Sequence, residues 1–332
     1  MDKYKIKSFA IWARRSLIKS VSEKAYSIGI YEDKILEATA VQGGFKLEGK
    51  EEIFTLSKKD RDALVKQVNE KGFEQVMEEV AYTWFNRFMG LRYMEVNDYL
   101  PTGVRILSSE VEEKKEPDVL TKVSEIIDEL NLNANEIYNL LDTGNTLDRE
   151  KAYRIILVKQ CNELGKIIPQ MFEKISDYTE LLLPDNLLEE GSVIRRMVED
   201  IEESDWLEDV EIVGWMYQYY NTENNELVYD GSMKRNKIPK ELLPAATQIF
   251  TPDWVVKYMV QNSLGNLIYS SSDNCKKVVT EWEYFINQEK DVNQKIVNIE
   301  EVKIIDPAMG SGHILVCAFD LLMDVYQAYG YN

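Results

Sequence analysis

Apolar side chains at Phe9, Trp12, Ala13, Leu17, Val21 and Ala25 recur every three or four residues, which is the spacing of one face of an α-helix. That period governs most of the first 220 residues and commits this part of the chain to helices packed on helices. Ser8 is a suitable N-cap for the first helix and Gly29 a suitable stop. Further helices are predicted over 59–71, 73–89, 119–130, 134–142 and 148–162, with Pro169 and Pro184 interrupting the next stretch. Val76, Val80, Trp84, Phe85 and Phe88 form an aromatic and apolar stripe that reads as core rather than as a cofactor contact. One interruption, 42–56, holds two short alternating runs around Glu48-Gly49-Lys50 and predicts a small hairpin. Pro101-Thr102-Gly103 marks a turn, and Lys114 to Asp118 an exposed connector.

The helical part, 1–220, closes with Val213 to Asn221. The polar stretch 221–244 offers little to bury and reads as a linker to a second domain, 245–332. A chain of 332 residues has room for both. Its formal net charge of −19 argues against a broad basic surface for gripping nucleic acid within this chain. Locally, Lys3, Lys5, Lys7, Arg14, Arg15, Lys19 and Lys24 stand against the single acid Glu23, and read as a solvated helix face or as a phosphate contact. Between Asp185 and Glu211 acids greatly outnumber Arg195 and Arg196, a stretch that repels DNA. Cys161, Cys275 and Cys317 are in no metal-ligand spacing, and no metal is expected. No secretory signal opens the chain, and the run ILVCAFDLLM near its end is too short to span a bilayer and carries Asp320. A soluble, cytoplasmic protein without membrane partners is the expectation.

Chemistry concentrates in the second domain. In AATQIFTPDWVVKYMVQNSLG, 245–265, Thr251 reads as an N-cap, Pro252 as the first helical residue and Asp253 as a first-turn acid. Near the end, Val302, Ile304 and Ile305 make a short β-branched run suited to a buried strand. Asp306-Pro307-Ala308-Met309-Gly310-Ser311-Gly312 follows, then an apolar helical stretch from Ile314 to about Tyr326. Strand, glycine turn and helix in that order make the first unit of a doubly wound α/β fold, with ligands off the carboxyl end of the strand. The glycines allow close approach of a ligand to the backbone, and the amides at the helix start favour a negative group. The turn lacks the third glycine of the dinucleotide fingerprint and the lysine of a P-loop. An acid followed by Pro and G-S-G suits a nucleoside bearing an amino acid, with an ammonium for the carboxylate and a carboxylate for the amides.

D-P-A-M-G-S-G resembles motif I of S-adenosylmethionine-dependent adenine-N6 DNA methyltransferases, a group in which an F-T-P helix precedes that motif, as Phe250-Thr251-Pro252 does here. KSFAIWARRSLIKSVSEKA, VAYTWFNRFMGLRYMEVNDYLP and LLPAATQIFTPDWVVKYMVQNSLG are similar to the N-terminal region of PglX-type methyltransferases, large enzymes of bacteriophage exclusion (BREX) defence systems. The resemblance covers nearly the whole chain. It implies a mostly α N-terminal domain followed by the truncated start of a Rossmann-like α/β methyltransferase domain. It also implies S-adenosyl-L-methionine as cofactor, with Phe250, Thr251 and Pro252 bordering its methionine part. Asp306 would lie near its amino group, Gly310 and Gly312 would admit the backbone to it, and Ala308, Met309 and Ser311 would line the same turn. His313, the only histidine, opens the following helix and does not obviously face a substrate.

The family's N-P-P-Y motif orients the target amine through an Asn side chain and a Pro carbonyl, while aromatic stacking holds the flipped base. No N-P-P occurs here, so no catalytic residue is assigned and the chain alone is expected to be inactive and to bind the cofactor weakly or not at all. DNA contacts are expected mainly from sequence beyond this chain, and other phage-defence proteins are candidate partners. The competing reading is a non-catalytic helical module that docks such proteins. The apolar helix at 314–326 would lack the sheet it covers, and is expected to pack on the helical domain or a second copy, or to be poorly ordered.

Overall fold

The computed structural model describes residues 1–111, 113–172, 178–208, 211–229, 237–247, 249–286, 297–310 and 312–330. The chain divides into two compact units, Met1–Glu226 and Leu227–Asn332. In the first unit, in order, lie α1 (Lys3–Ser27), β1 (Ala38–Val41), β2 (Gly44–Leu47), β3 (Ile53–Phe54), α2 (Lys58–Lys71), α3 (Phe73–Val96), α4 (Val123–Ile126) and α5 (Ala134–Asp142). There follow α6 (Thr146–Ile167), α7 (Tyr178–Leu181), α8 (Val193–Asp200), α9 (Glu203–Glu208) and α10 (Glu211–Tyr220).

α1 begins earlier than Ser8. Asp2 caps it, its carboxylate accepting from the Tyr4 and Lys5 amides, because a short acid just ahead of the helix satisfies donors that no earlier carbonyl reaches. Phe9, Ala13, Leu17, Val21 and Ala25 are buried, together with Ile6 and Ala10, and the chain turns out of the helix at Gly29, where φ is +76°. α1 packs against α3 and α10. The aromatic stripe of α3 is core as expected: Trp84, Phe85 and Phe88 are fully buried. The hairpin around Gly49 is present as β2 and β3, with Phe45 opposite Phe54, and β1 adds a third antiparallel strand. The continuous helix expected over 119–130 is instead a 3-10 turn at Asp118–Leu120, the single turn α4 and a bend at Asn131, whose φ is +48°.

Of the α1 cations, Lys3, Lys5, Lys7, Arg15 and Lys19 are exposed, as a solvated face requires, while Arg14 and Lys24 are half-buried, and several of them are paired with acids. Lys5 pairs with Glu202 at 3.0 Å, Arg14 with Glu78 and with Glu223 at 3.0 Å, Arg15 with Glu223, and Lys24 with Asp185 at 2.7 Å. Lys3 lies over the Trp215 ring and Arg196 over Trp12, each at 4.0 Å. The acidic stretch after Asp185 is thus partly neutralised by the first helix. Exposed pairs of this kind contribute little stability, but they commit these cations to partners within the unit.

A buried polar cluster fixes the loop after α3. The Glu95 carboxylate accepts from Arg92 Nη1 at 2.8 Å and Ser108 Oγ at 2.9 Å through one oxygen, and from the Ile106 and Leu107 amides at 2.9 and 2.8 Å through the other. Tyr153 adds a hydrogen bond from its hydroxyl to the Ile106 carbonyl.

Asp118 holds the next stretch. It accepts from Ser109 Oγ at 2.6 Å, Lys114 Nζ at 2.8 Å and the Glu110 amide at 3.0 Å. Burial works to raise its pKa, but the bonds from Lys114, Ser109 and the Glu110 amide outweigh it and hold the carboxyl at about 2. A depressed folded-state value stabilises the fold fully above the unfolded value, and that contribution disappears as pH falls through the folded one. Asp118→Asn is therefore expected to be less stable than the wild type at neutral pH, with the gap closing between about pH 4 and about pH 2. Urea midpoints of both proteins across that range check it; a gap independent of pH would contradict the assignment.

The polar stretch 221–244 carries α11 (Thr222–Tyr229) and, beyond the undescribed residues 230–236, a 3-10 turn at Lys240–Leu242. The second unit then contains α12 (Leu243–Thr247), α13 (Asp253–Ile268), α14 (Asp273–Glu281) and α15 (His313–Ala328). α13, α14 and α15 pack on one another around Val256, Val260, Leu264, Ile268, Val279, Leu321 and Val325. The apolar helix at the end is thus ordered on its own unit, which leaves Val316, Phe319 and Met323 exposed on its other side.

The expected strand at 302–305 is not present as a strand. Among the described residues no segment pairs with it, and Ile305 is 87% exposed. A strand exists by virtue of its ladder partners, so a β-branched run without a neighbour stays extended and solvated. The described structure is therefore mostly helical with one small sheet, and contains no doubly wound sheet.

Candidate functional site

Phe250, Thr251 and Pro252 precede α13, and Asp306 to Gly312 precede α15, so the site residues lie at the starts of two helices that pack together. Thr251 does not cap α13. The helix starts at Asp253, and Pro252, with φ −55° and ψ 142°, occupies the cap position with no side-chain hydrogen bond. Pro fixes φ near −65°, which suits both a first helical residue and an extended entry; here ψ places it outside the helix. Asp253 instead forms a 2.6 Å pair with Lys257 one turn on.

The glycine turn is shaped by its acid and its glycines. Asp306 Oδ1 accepts the Ala308 amide at 2.9 Å, a local turn typical of Asp. Gly310 and Gly312 take φ +55° and +82°, values that side-chain-bearing residues rarely adopt. A Cβ at Gly310 would meet only the Ala308 carbonyl, at 3.9 Å, and one at Gly312 only Met309 Cγ, at 4.0 Å. Packing does not demand these glycines; the backbone conformation does, and space remains beside it. Gly312 is the N-cap of α15, and among the described residues no side chain caps the first amides of that helix. Met309 is exposed, and Ser311 lies outside the described residues.

Phe250 and the glycine turn meet through His313. The buried Phe250 ring and the imidazole are parallel, 2° apart in plane and 5.0 Å between centroids. The imidazole Nε2 is 3.7 Å from Asp253 Oδ1. The contact spans residues far apart in sequence, and helical periodicity carries no trace of it. The single histidine at the end of the turn was the available signal.

Two polar atoms here are buried and have no hydrogen-bond partner among the described residues: Asp306 Oδ2 and His313 Nδ1. An unpaired carboxylate oxygen is costly to bury, and the natural complement is a cationic donor. That oxygen, the first amides of α15, which no described side chain caps, and the open side of the two glycines suit a ligand carrying both an ammonium and a carboxylate. Cys317, one turn into α15, offers no nucleophile: burial, aided by Asp253, pushes its thiol up to about 11.

No protein-family model matches the chain. Two curated relatives align with all of it. One, an adenine-specific methyltransferase PglX of Lacticaseibacillus casei (strain Zhang), is 39% identical over 370 aligned residues, of which this chain covers 30% of the relative. The other, an adenine-specific methyltransferase BrxX of Escherichia coli O9:H4 (strain HS), is 37% identical over 354 residues and is covered to 28%. The chain is a homologue of adenine-specific methyltransferases. Its similarity to both runs through the whole of this chain, which spans about three tenths of the length of the curated relatives it matches. Among the described residues no helix is long and apolar enough to cross a membrane.

Proposed function

We propose that this chain is the helical and cofactor-loop portion of an adenine-N6 DNA methyltransferase of the PglX type, working in a phage-defence setting. Residues 1–220 form its helical domain, and 245–332 begin its methyltransferase domain. The observation that supports this most is the stacking of Phe250 on His313, which joins the F-T-P segment to the glycine turn. Asp306 would receive the ammonium of S-adenosylmethionine, and the amides at the start of α15 its carboxylate. Gly310 and Gly312 would leave room for the nucleoside, with Phe250, Thr251, Pro252, Ala308, Met309 and Ser311 around it. The bound cofactor supplies an electrophilic methyl group on sulfur. The residues that would present the adenine amine are not in this chain, which lacks N-P-P, so on this reading the chain alone does not methylate DNA.

Continuing the reading frame past Asn332 is expected to reveal N-P-P followed by Tyr or Phe, and the longer polypeptide is expected to methylate adenine in DNA. Calorimetric titration with S-adenosylmethionine should give clear binding for that polypeptide and weak or no binding for residues 1–332. A stop codon after Asn332, with no companion polypeptide carrying the motif, would sink the enzyme reading. The helical-module reading would then take its place.

A further inference from the structure

We infer that His313 is a positioning residue for the cofactor site, holding the segment before α13 against the glycine turn. This rests on the proposed cofactor role, but its physical basis is separate. A residue that only opened α15 would have no need of an aromatic ring, since α15 is already started by Gly312. His313 instead lays its ring flat on Phe250 at 5.0 Å and brings Nε2 to within 3.7 Å of Asp253, the first residue of α13. One side chain therefore reaches two adjoining points on the approach to α13, stacking on the Phe250 ring and lying near the Asp253 carboxylate without hydrogen-bonding to it. Its backbone follows directly on Gly312.

Phe250 is 8% exposed, so the imidazole lies against a ring that is already withdrawn from water. α13 and α15 pack through Val256, Val260, Leu321 and Val325, deeper along the helices. Those contacts hold the helices together but do not reach the residues ahead of α13. The parallel stack does, and aromatic pairs favour such offset geometry over non-specific contact. The ring, not the charge, is the part of His313 that this role requires. Phenylalanine should therefore replace it, and alanine should not.

Because His313 is the only histidine, its imidazole carbon-bound protons give one pair of resonances that can be followed in the chain itself. They are expected upfield of free imidazole, shifted by the Phe250 ring, and to return toward the free position in Phe250→Leu. Resonances at the free position, unmoved by Phe250→Leu, would overturn the stack whatever the cofactor.

In the polypeptide continued past Asn332, His313→Ala is expected to raise the KM for S-adenosylmethionine roughly tenfold, the scale of one lost aromatic pair, with a much smaller change in kcat. His313→Phe should restore the KM. Wild-type affinity in His313→Ala, or no rescue by His313→Phe, would overturn the positioning role while leaving the cofactor reading intact. Absence of binding by the wild-type polypeptide would overturn both.

Discussion

Glu95→Ala is expected to destabilise the first unit by about 3–5 kcal/mol, the range for removing one partner of a buried ion pair. The size follows from what remains behind. Arg92 and Glu95 have 2% and 0% of their side chains exposed, so the guanidinium cannot turn to water when the carboxylate is gone. The other acid it reaches, Glu203 at 3.3 Å, is itself shared with Arg105. The Ile106 and Leu107 amides and the Ser108 hydroxyl lose their acceptor at the same time, and each unsatisfied buried donor adds its own cost. Glu95→Gln separates charge from hydrogen bonding: it keeps one acceptor but brings an amide donor against groups that are already donors. It should fall between Ala and wild type. Urea unfolding followed by circular dichroism decides it, and a loss below about 1 kcal/mol for Glu95→Ala would mean that the cluster is hydrated or relaxes freely.

That cluster shows where sequence reading stops. Arg92 and Glu95 are three residues apart on a helix, a spacing that usually marks a solvated surface pair. Only the partners at 106–108, brought back by the turn after Pro101, make it a buried structural element. The helices themselves were legible because their signal is local: the α1 and α3 stripes put Phe9, Leu17, Trp84 and Phe88 in the core as their spacing predicts. The fate of the α1 cations was not, since Glu202, Glu223 and Asp185 lie far along the chain.

The site divides in the same way. Gly310 and Gly312 carry the positive φ values that a glycine turn suggests, and α15 begins directly after them, as expected. Thr-Pro-Asp at 251–253 fits a cap pattern whether or not the proline enters the helix; the Pro252 ψ of 142° decides that, and no residue identity encodes it. The run at 302–305 has strand-forming residues, but strand formation depends on a neighbour, which composition cannot reveal. The Phe250–His313 stack is a tertiary contact between two helix starts, invisible to any window of sequence.

Asp306→Ala, in the polypeptide continued past Asn332, is expected to weaken S-adenosylmethionine binding by about 10- to 150-fold. This corresponds to the roughly 1.5–3 kcal/mol of a hydrogen bond to a charged group. The two oxygens of this carboxylate have different occupations: Oδ1 takes the Ala308 amide and shapes the turn, while Oδ2 is buried with no partner among the described residues. Alanine removes both functions, so its effect alone would not separate a misshapen loop from a lost ammonium contact. Asp306→Asn does separate them, because the amide oxygen can still accept from Ala308 while the charge is gone. If the carboxylate serves the ligand, Asn should bind nearly as poorly as Ala, with little change in unfolding midpoint. If it serves only the turn, Asn should bind like the wild type, and Asp306 would be a loop-shaping residue with no cofactor contact. Calorimetric titration of the three proteins distinguishes these outcomes, and near-wild-type affinity in Asp306→Ala would remove the acid from the site altogether.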